Sequence, residues 1–228
     1  MANLPLLVFD VNETLLDLET VAPPFERMFG DRAVMREWFA QLILYSQALS
    51  LAGDYVPFGE LGGAALRMVA ATHGREVEDA DLEAVREAVA SMPPHTEVRG
   101  ALERLHGAGF RLFTLTNNPH ATCARQLEQA GLRDLFERLF SVDDEARRYK
   151  PAPETYRAVE QALGVPPSRL CLIACHTWDA LGAVAAGWEA ALILRPGNAP
   201  LPAGPQPRII GKDLDEVADA LIARFSAD

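Results

Sequence analysis

Cysteine is scarce in this chain: three residues in 228, at Cys123, Cys171 and Cys175. An odd count in a sequence of this length does not make a disulfide framework. Basic charge is also short. Twenty-one Lys and Arg against 32 Asp and Glu leave a formal net charge of −11. That excludes the basic footprint of a nucleic-acid binder and offers no attraction to an anionic membrane. Nor does an acidic surface recruit an anionic substrate, so any such substrate needs a local positive group. The apolar runs are too short to span a bilayer. No charged leader precedes an apolar signal segment. The expectation is a cytoplasmic enzyme or binding protein with neither nucleic acid nor membrane as partner.

What is present is an ordinary globular composition, 49% apolar and 23% charged, in a chain long enough to bury a substantial core. The first informative stretch is Leu6-Leu7-Val8-Phe9-Asp10. Four apolar residues in a row predict a strand buried on both faces, and a carboxylate follows at once. Residues 20–92 then carry helical patterns without a convincing strand, broken by Pro57, Gly59, Gly74 and Pro93-Pro94. From Thr96 onward helices and strands alternate. Strands are expected at 110–116, 139–142, 170–174 and 190–194. Gly109, Gly131, Gly164 and Gly187 stop the helices between them. Residues 194–207 read as a Pro- and Gly-rich loop. This alternation predicts an α/β fold, a doubly wound parallel sheet with an inserted helical cap. The expected division is residues 1–16 plus 94–228 as core and 17–93 as cap.

Polar residues gather just beyond the buried runs: Asp10 after the first, Thr116-Asn117 after the second, Lys150 beyond the third, His176 and Asp179 after the fourth. Each alone reads equally well as a turn residue, a helix-terminal charge or a solvated side chain. In a parallel sheet, however, the carboxyl ends of the strands converge on one edge, where ligands bind. Together they make chemical sense. A carboxylate can act as covalent nucleophile. A neighbouring Lys keeps it ionised, lowering its pKa by about 1–3 units. A second carboxylate can activate water to hydrolyse the resulting ester. A hydroxyl and an amide can hold a substrate carboxylate.

The stretch Phe9-Asp10-Val11-Asn12-Glu13-Thr14-Leu15 resembles the first motif of the haloacid dehalogenase superfamily. Leu115-Thr116-Asn117 is similar to its second motif, Tyr149-Lys150-Pro151 to its third, and Trp178-Asp179 with Gly182-Ala183 to its fourth. The four occur in order and span essentially the whole chain. Most members of that superfamily are Mg²⁺-dependent phosphohydrolases, with a general acid/base two positions after the nucleophile. That position is Asn12 here, which cannot transfer the proton. The first of the usual acidic pair in motif four falls at Cys175, a poor ligand for a cation that prefers hard oxygens. Both losses argue against phosphoryl transfer.

The branch most resembled is the metal-free type II 2-haloacid dehalogenases. The resemblance implies a small-molecule 2-haloacid substrate, no cofactor, and a homodimer formed through the cap. It implies that Asp10 displaces halide to form an ester, that Thr14 supports Asp10, and that Lys150 keeps it ionised. Asp179 with His176 would position the hydrolytic water, and Tyr156 would assist. The backbone amides of Val11, Asn12 and Asn117, with the Thr116 hydroxyl, would hold the substrate carboxylate. Phe39, Ile43, Phe58 and Trp178 would wall the pocket.

Three departures stand out. The family places a halide-binding Arg on the first cap helix. That position falls at Phe39 here, with Arg36 about one turn away. A Ser-rich loop is replaced by Ala174-Cys175-His176, and Thr116 stands for a Ser. Trp178 and His176 become candidates for the halide contact. The competing readings are a Mg²⁺ phosphatase with degenerate motifs and a non-catalytic binding protein on the same fold. A Cys175–His176 nucleophile is a fourth, with no visible activation beyond adjacency.

Overall fold

The structure is a computed structural model that describes residues 4–225. Its centre is a six-stranded parallel sheet in the order β3-β2-β1-β4-β5-β6. The strands are β1 (Leu6–Phe9), β2 (Leu112–Thr116), β3 (Arg138–Ser141), β4 (Leu170–Ala174), β5 (Glu189–Ile193) and β6 (Ile209–Gly211). Every residue of β1, β2 and β4 is buried. That is why they read as unbroken apolar runs: helices cover both faces of the sheet. β1 pairs with β2 on one side and β4 on the other. The winding direction reverses there, and in open α/β sheets ligands bind at such a reversal.

Four helices follow β1 with no strand among them: α1 (Ala22–Phe29), α2 (Val34–Ala52), α3 (Phe58–Thr72) and α4 (Asp79–Ala90). The chain leaves the sheet region and returns at one point. Leu16 and Pro94 form an isolated bridge, Asp17 N donates to Pro93 O at 2.8 Å, and His95 N donates to Leu15 O at 3.0 Å. The remaining helices alternate with strands: α5 (Val98–Gly107), α6 (His120–Gln129), α7 (Val142–Glu145), α8 (Pro153–Leu163), α9 (Thr177–Ala185) and α10 (Leu214–Phe225).

Two elements differ from the sequence reading. α1 carries Pro23 and Pro24 in its first turn, where a missing N–H costs nothing because that donor has no partner in the helix. The sequence reading distinguishes no separate helix at 22–29. β6 is a three-residue edge strand beyond the 194–207 loop, too short to show a period.

The four-helix segment lies over the carboxyl ends of the strands and is tied down by polar contacts. Tyr55 donates to Asp143 at 2.6 Å, Tyr149 N donates to Ser50 Oγ at 2.7 Å, and Gln126 Nε2 donates to Val89 O at 2.8 Å. Among the described residues no helix is long and apolar enough to cross a membrane.

Candidate active site

The loop after β1 folds back in a single turn, with Leu15 N donating to Val11 O at 2.9 Å. This brings Thr14 beneath Asp10. The Thr14 hydroxyl donates to Asp10 Oδ2 at 2.6 Å and accepts from Cys175 N at 3.0 Å. Arg195, from the 194–207 loop, clamps the turn from below. It donates to Thr14 O from Nε and Nη2 at 3.2 and 2.8 Å and pairs with Glu97 at 2.7 Å.

Lys150 is the hub. Its ammonium is fully buried and spends all three donors: 2.8 Å to Asp10 Oδ1, 2.6 Å to Asp179 Oδ2, and 2.8 Å to Leu115 O at the end of β2. Asp179, in the first turn of α9, receives the Tyr156 hydroxyl on its other oxygen at 2.7 Å. α8 and α9 approach closely enough for that bond because residue 182 has no side chain. A Cβ at Gly182 would collide with Pro151 and the Tyr156 hydroxyl. Asn117 accepts from Lys150 N at 3.2 Å, and Thr116 Oγ1 accepts from Asn118 N at 3.1 Å. Five strand ends thus supply one constellation, as the sheet topology requires.

His176 is placed differently from its expected pairing with Asp179. Its Nδ1 lies 3.0 Å from Asp10 Oδ2 and its Nε2 lies 2.8 Å from Glu13 Oε2. Glu13 is buried and sits at φ 64°, a left-handed conformation that non-glycine residues rarely adopt and that recurs at functional sites. The other Glu13 oxygen pairs with Arg36, which also grips Glu19 at 2.5 Å and Pro196 O at 3.1 Å. Arg36 is therefore committed away from Asp10 and does not replace the expected halide-binding arginine. Phe39 lines the space beside Asp10, its ring 5.7 Å from that of His176. Trp178 stacks on the imidazole at 4.9 Å.

The electrostatics follow from this wiring. Burial alone would raise the Asp10 pKa, but the Lys150 charge and the His176 hydrogen bond overcome it and hold the carboxyl well below its usual range. Burial opposes charge on Lys150 as well, and Asp10 and Asp179 outweigh it, so the group stays an ammonium. Burial together with the nearby Asp10 charge raises Asp179 despite Lys150. For His176, burial is outweighed by Cys175, Asp10 and Glu13, and its value lies well above 6.5. Burial pushes the Cys175 thiol itself up. A neutral thiol carries no charge to offer, so the two carboxylates are what keep the ring an imidazolium. A raised thiol also makes Cys175 a poor nucleophile. Tyr156 is pushed well up by burial and by Asp179, and remains a phenol donor.

A cavity of about 20 Å³ touches Asp10, lined by Asn12, Phe39, Ile43, Phe58, Thr116, Asn117, His176 and Trp178. Nearly every residue expected at the site from the sequence therefore meets there or in the layer beneath it. Val11 is buried beside Asp10 in the chain. Arg195 escaped the sequence reading, and Glu13 and Gly182 were quoted within motifs without a role. Glu13 lies inside a quoted motif, but nothing in the sequence marks its side chain as buried. Arg195 lies in a loop without periodicity.

The donor set does not fit the Mg²⁺ of the phosphohydrolases. Among the described residues the one group of potential ligands here is Asp10, Cys175 and His176. That is a carboxylate already held by an ammonium, a neutral thiol and an imidazolium, whereas Mg²⁺ needs hard oxygens. No step is routed through a metal.

Similarity to known proteins agrees with this geometry. The haloacid dehalogenase-like hydrolase family profile matches residues 4–187. The chain belongs to that family. It is 30% identical to (S)-2-haloacid dehalogenase 2 of Pseudomonas sp. (strain CBS-3), over 94% of each chain. It is 29% identical to haloacetate dehalogenase H-2 of Moraxella sp. (strain B), over 87% of this chain and 89% of that one. A solved L-2-haloacid dehalogenase superposes with a TM-score of 0.89 at 29% identity, covering 96% of this chain and 98% of the other. As a haloacid dehalogenase-like hydrolase, the protein has a six-stranded parallel sheet flanked by helices.

Proposed function

We propose that the protein is a metal-independent 2-haloacid dehalogenase that works through an ester on Asp10. The observation that carries this reading is the single Lys150 ammonium joined to both Asp10 and Asp179. It keeps the first carboxylate ionised as a nucleophile and holds the second beside it. A carboxylate offers about four acceptor positions. Lys150, Thr14 and His176 use three on Asp10, which leaves one lone pair on Oδ1. That oxygen attacks the carbon bearing the halogen, the carbon–halogen bond breaks with its electron pair, and halide departs. Water then attacks the Asp10 ester carbonyl and gives its proton to Asp179. Asp179 returns that proton to the departing alkoxide oxygen, the 2-hydroxy acid leaves, and the Asp10 acid left behind gives its own proton to solvent and is restored as a carboxylate. Asp179 suits the role of base because its pKa is raised, while Tyr156 fixes its orientation.

The substrate carboxylate is assigned to the backbone amides of Val11, Asn12 and Asn117 with the Thr116 hydroxyl. The leaving halide is assigned to the Trp178 indole N–H, with His176 supplying positive charge. Both imidazole nitrogens are engaged by carboxylates, so the ring contributes charge rather than a free N–H. Phe39, Ile43 and Phe58 exclude water and strengthen these interactions.

The core (1–16 plus 94–228) carries the chemistry in this reading, and the cap (17–93) closes over it. α2 exposes Leu44, Tyr45 and Leu51, and a homodimer through the cap would cover them. The three buried, unpaired cysteines fit a reducing cytoplasm.

The test is a halide-release panel with chloro- and bromoacetate and both 2-chloropropionate enantiomers, in the presence of chelator. Release that persists with chelator supports the reading. Chelator-sensitive hydrolysis of p-nitrophenyl phosphate, with no halide from any 2-haloacid, overturns it.

A further inference from the structure

A second cavity of about 330 Å³ lies against the first. The two share three lining residues, Asn12, Phe39 and Phe58, so only that wall separates the space around Asp10 from the chamber beyond. The chamber lies between α2, α3 and α4 of the cap and the start of α6. Its interior is apolar, formed by Trp38, Leu42, Leu66, Leu82, Val85 and Val89. Its size falls within the range of small-molecule sites.

The hollow is built by omission. Gly59, Gly62 and Gly63 lie on α3 at helical i, i+3 and i+4 spacing, and all three line the chamber. A Cβ at Gly63 would meet nothing closer than Leu82 at 3.6 Å, one at Gly62 nothing closer than 3.7 Å, and one at Gly59 nothing within 4 Å. Glycine inside a helix is destabilising relative to alanine. Here no tight packing demands it: Gly59 faces open space, and Gly62 and Gly63 stand at ordinary contact distance from their neighbours. At the mouth the charges cancel in pairs, Arg86 with Glu83 at 3.5 Å and Arg125 with Glu87 at 3.4 Å.

We propose that this chamber holds the C2 substituent of the substrate, and that the substituent is an extended apolar chain: the preferred substrate is a medium-chain 2-haloalkanoic acid. The inference rests on the dehalogenase reading and adds the substrate class. The cavity beside Asp10 has room for roughly one water. A carboxylate and a halogen leave no room beside Asp10 for a substituent on the same carbon, which must pass through a wall. The wall at Asn12, Phe39 and Phe58 is the one with a chamber behind it. The paired charges at the mouth offer no free cation to a second carboxylate, so a dicarboxylic haloacid is disfavoured.

The test is kcat/KM for halide release across 2-bromopropionate, 2-bromohexanoate, 2-bromooctanoate and 2-bromosuccinate. The expected rise is about twofold to fourfold per added methylene, with 2-bromosuccinate no better than 2-bromopropionate. Gly63→Leu and, separately, Gly59→Leu should each lower the octanoate-to-propionate ratio at least tenfold. A flat or falling series overturns the proposal. So does a plug variant that slows every substrate alike, which would make the chamber an entrance only. Preference for 2-bromosuccinate overturns it too. Calorimetric titration with 2-hydroxyoctanoate and with lactate reads the chamber without turnover. At least tenfold tighter binding of the longer acid, lost in Gly63→Leu, is expected, and equal binding contradicts the proposal. Should no haloacid release halide, the dehalogenase reading fails, and the titration still decides the chamber.

Discussion

The edge of the sheet and the inner face of the cap meet around Asp10, yet they are built on opposite principles. At the carboxyl ends of the strands the polar groups around Asp10 are held by one another. Lys150 spends three donors, Thr14 both donates and accepts, and Gly182 is glycine because Pro151 and Tyr156 leave no room. On the cap, Gly59 faces open space, Gly62 and Gly63 make only ordinary contacts at 3.6–3.7 Å, and all three line the chamber. The first region is filled so that charges cannot move, which is what electrostatic preorganisation requires. The second is left hollow so that something can enter. Chemistry is fixed by the strand ends, and choice of substrate is left to the helices above them.

The largest break in this contrast comes from Lys150→Met. It leaves Asp10 and Asp179 buried side by side without their cation. Loss of one partner from a buried ion pair costs about 3–5 kcal/mol, and for a chain of this size each kcal/mol moves Tm by roughly 2–4 °C. Thermal unfolding should show a fall of about 6–20 °C, and halide release should drop at least a hundredfold. Gly182→Ala comes next. Overpacking at this contact should cost about 1–3 kcal/mol and lower kcat by separating Tyr156 from Asp179, which steady-state kinetics will read.

Glu13→Gln acts through pH. In the folded protein His176 holds its proton above the ordinary value of 6.5. The stability this contributes is complete below about pH 6.5 and is lost as pH rises through the folded value. Removing the Glu13 charge lowers that value. The alkaline decline of Tm should therefore start at lower pH than in the wild type. An unshifted profile would mean that Asp10 alone sets the imidazolium. Gly63→Ala has the smallest effect and the opposite sign to Gly182→Ala. With ordinary contact at 3.6 Å, it should raise stability by up to about 1 kcal/mol, a Tm gain of a few degrees.

The same contrast explains what could be read from the sequence. A fully buried strand leaves an unbroken apolar run, and the residue after it is a strand end. Asp10, Thr116, Asn117, His176 and Asp179 were legible for that reason, and Lys150 and Tyr156 through the motifs around them. The cap has no such punctuation. Phe39 stood out only against the arginine of the resemblance. The three glycines of α3 look like weak helix until the space before them is seen. Arg36 looked able to reach the halide, but its partners, Glu13 and Glu19, are near it only in space. Glu13 is the instructive omission. Its motif was recognised, but its side-chain direction depends on a left-handed backbone at φ 64°, and no pattern of residue types encodes that.

The central claim is that Asp10 becomes covalently attached to substrate and is released by water. A single turnover in ¹⁸O-water, with enzyme in excess over 2-bromopropionate, tests it directly by mass spectrometry of the peptide that holds Asp10. The account predicts ¹⁸O in the Asp10 carboxylate and unlabelled oxygen in the new hydroxyl of lactate. Label in lactate with none in the Asp10 peptide would mean that water attacks the substrate carbon directly, and would contradict it.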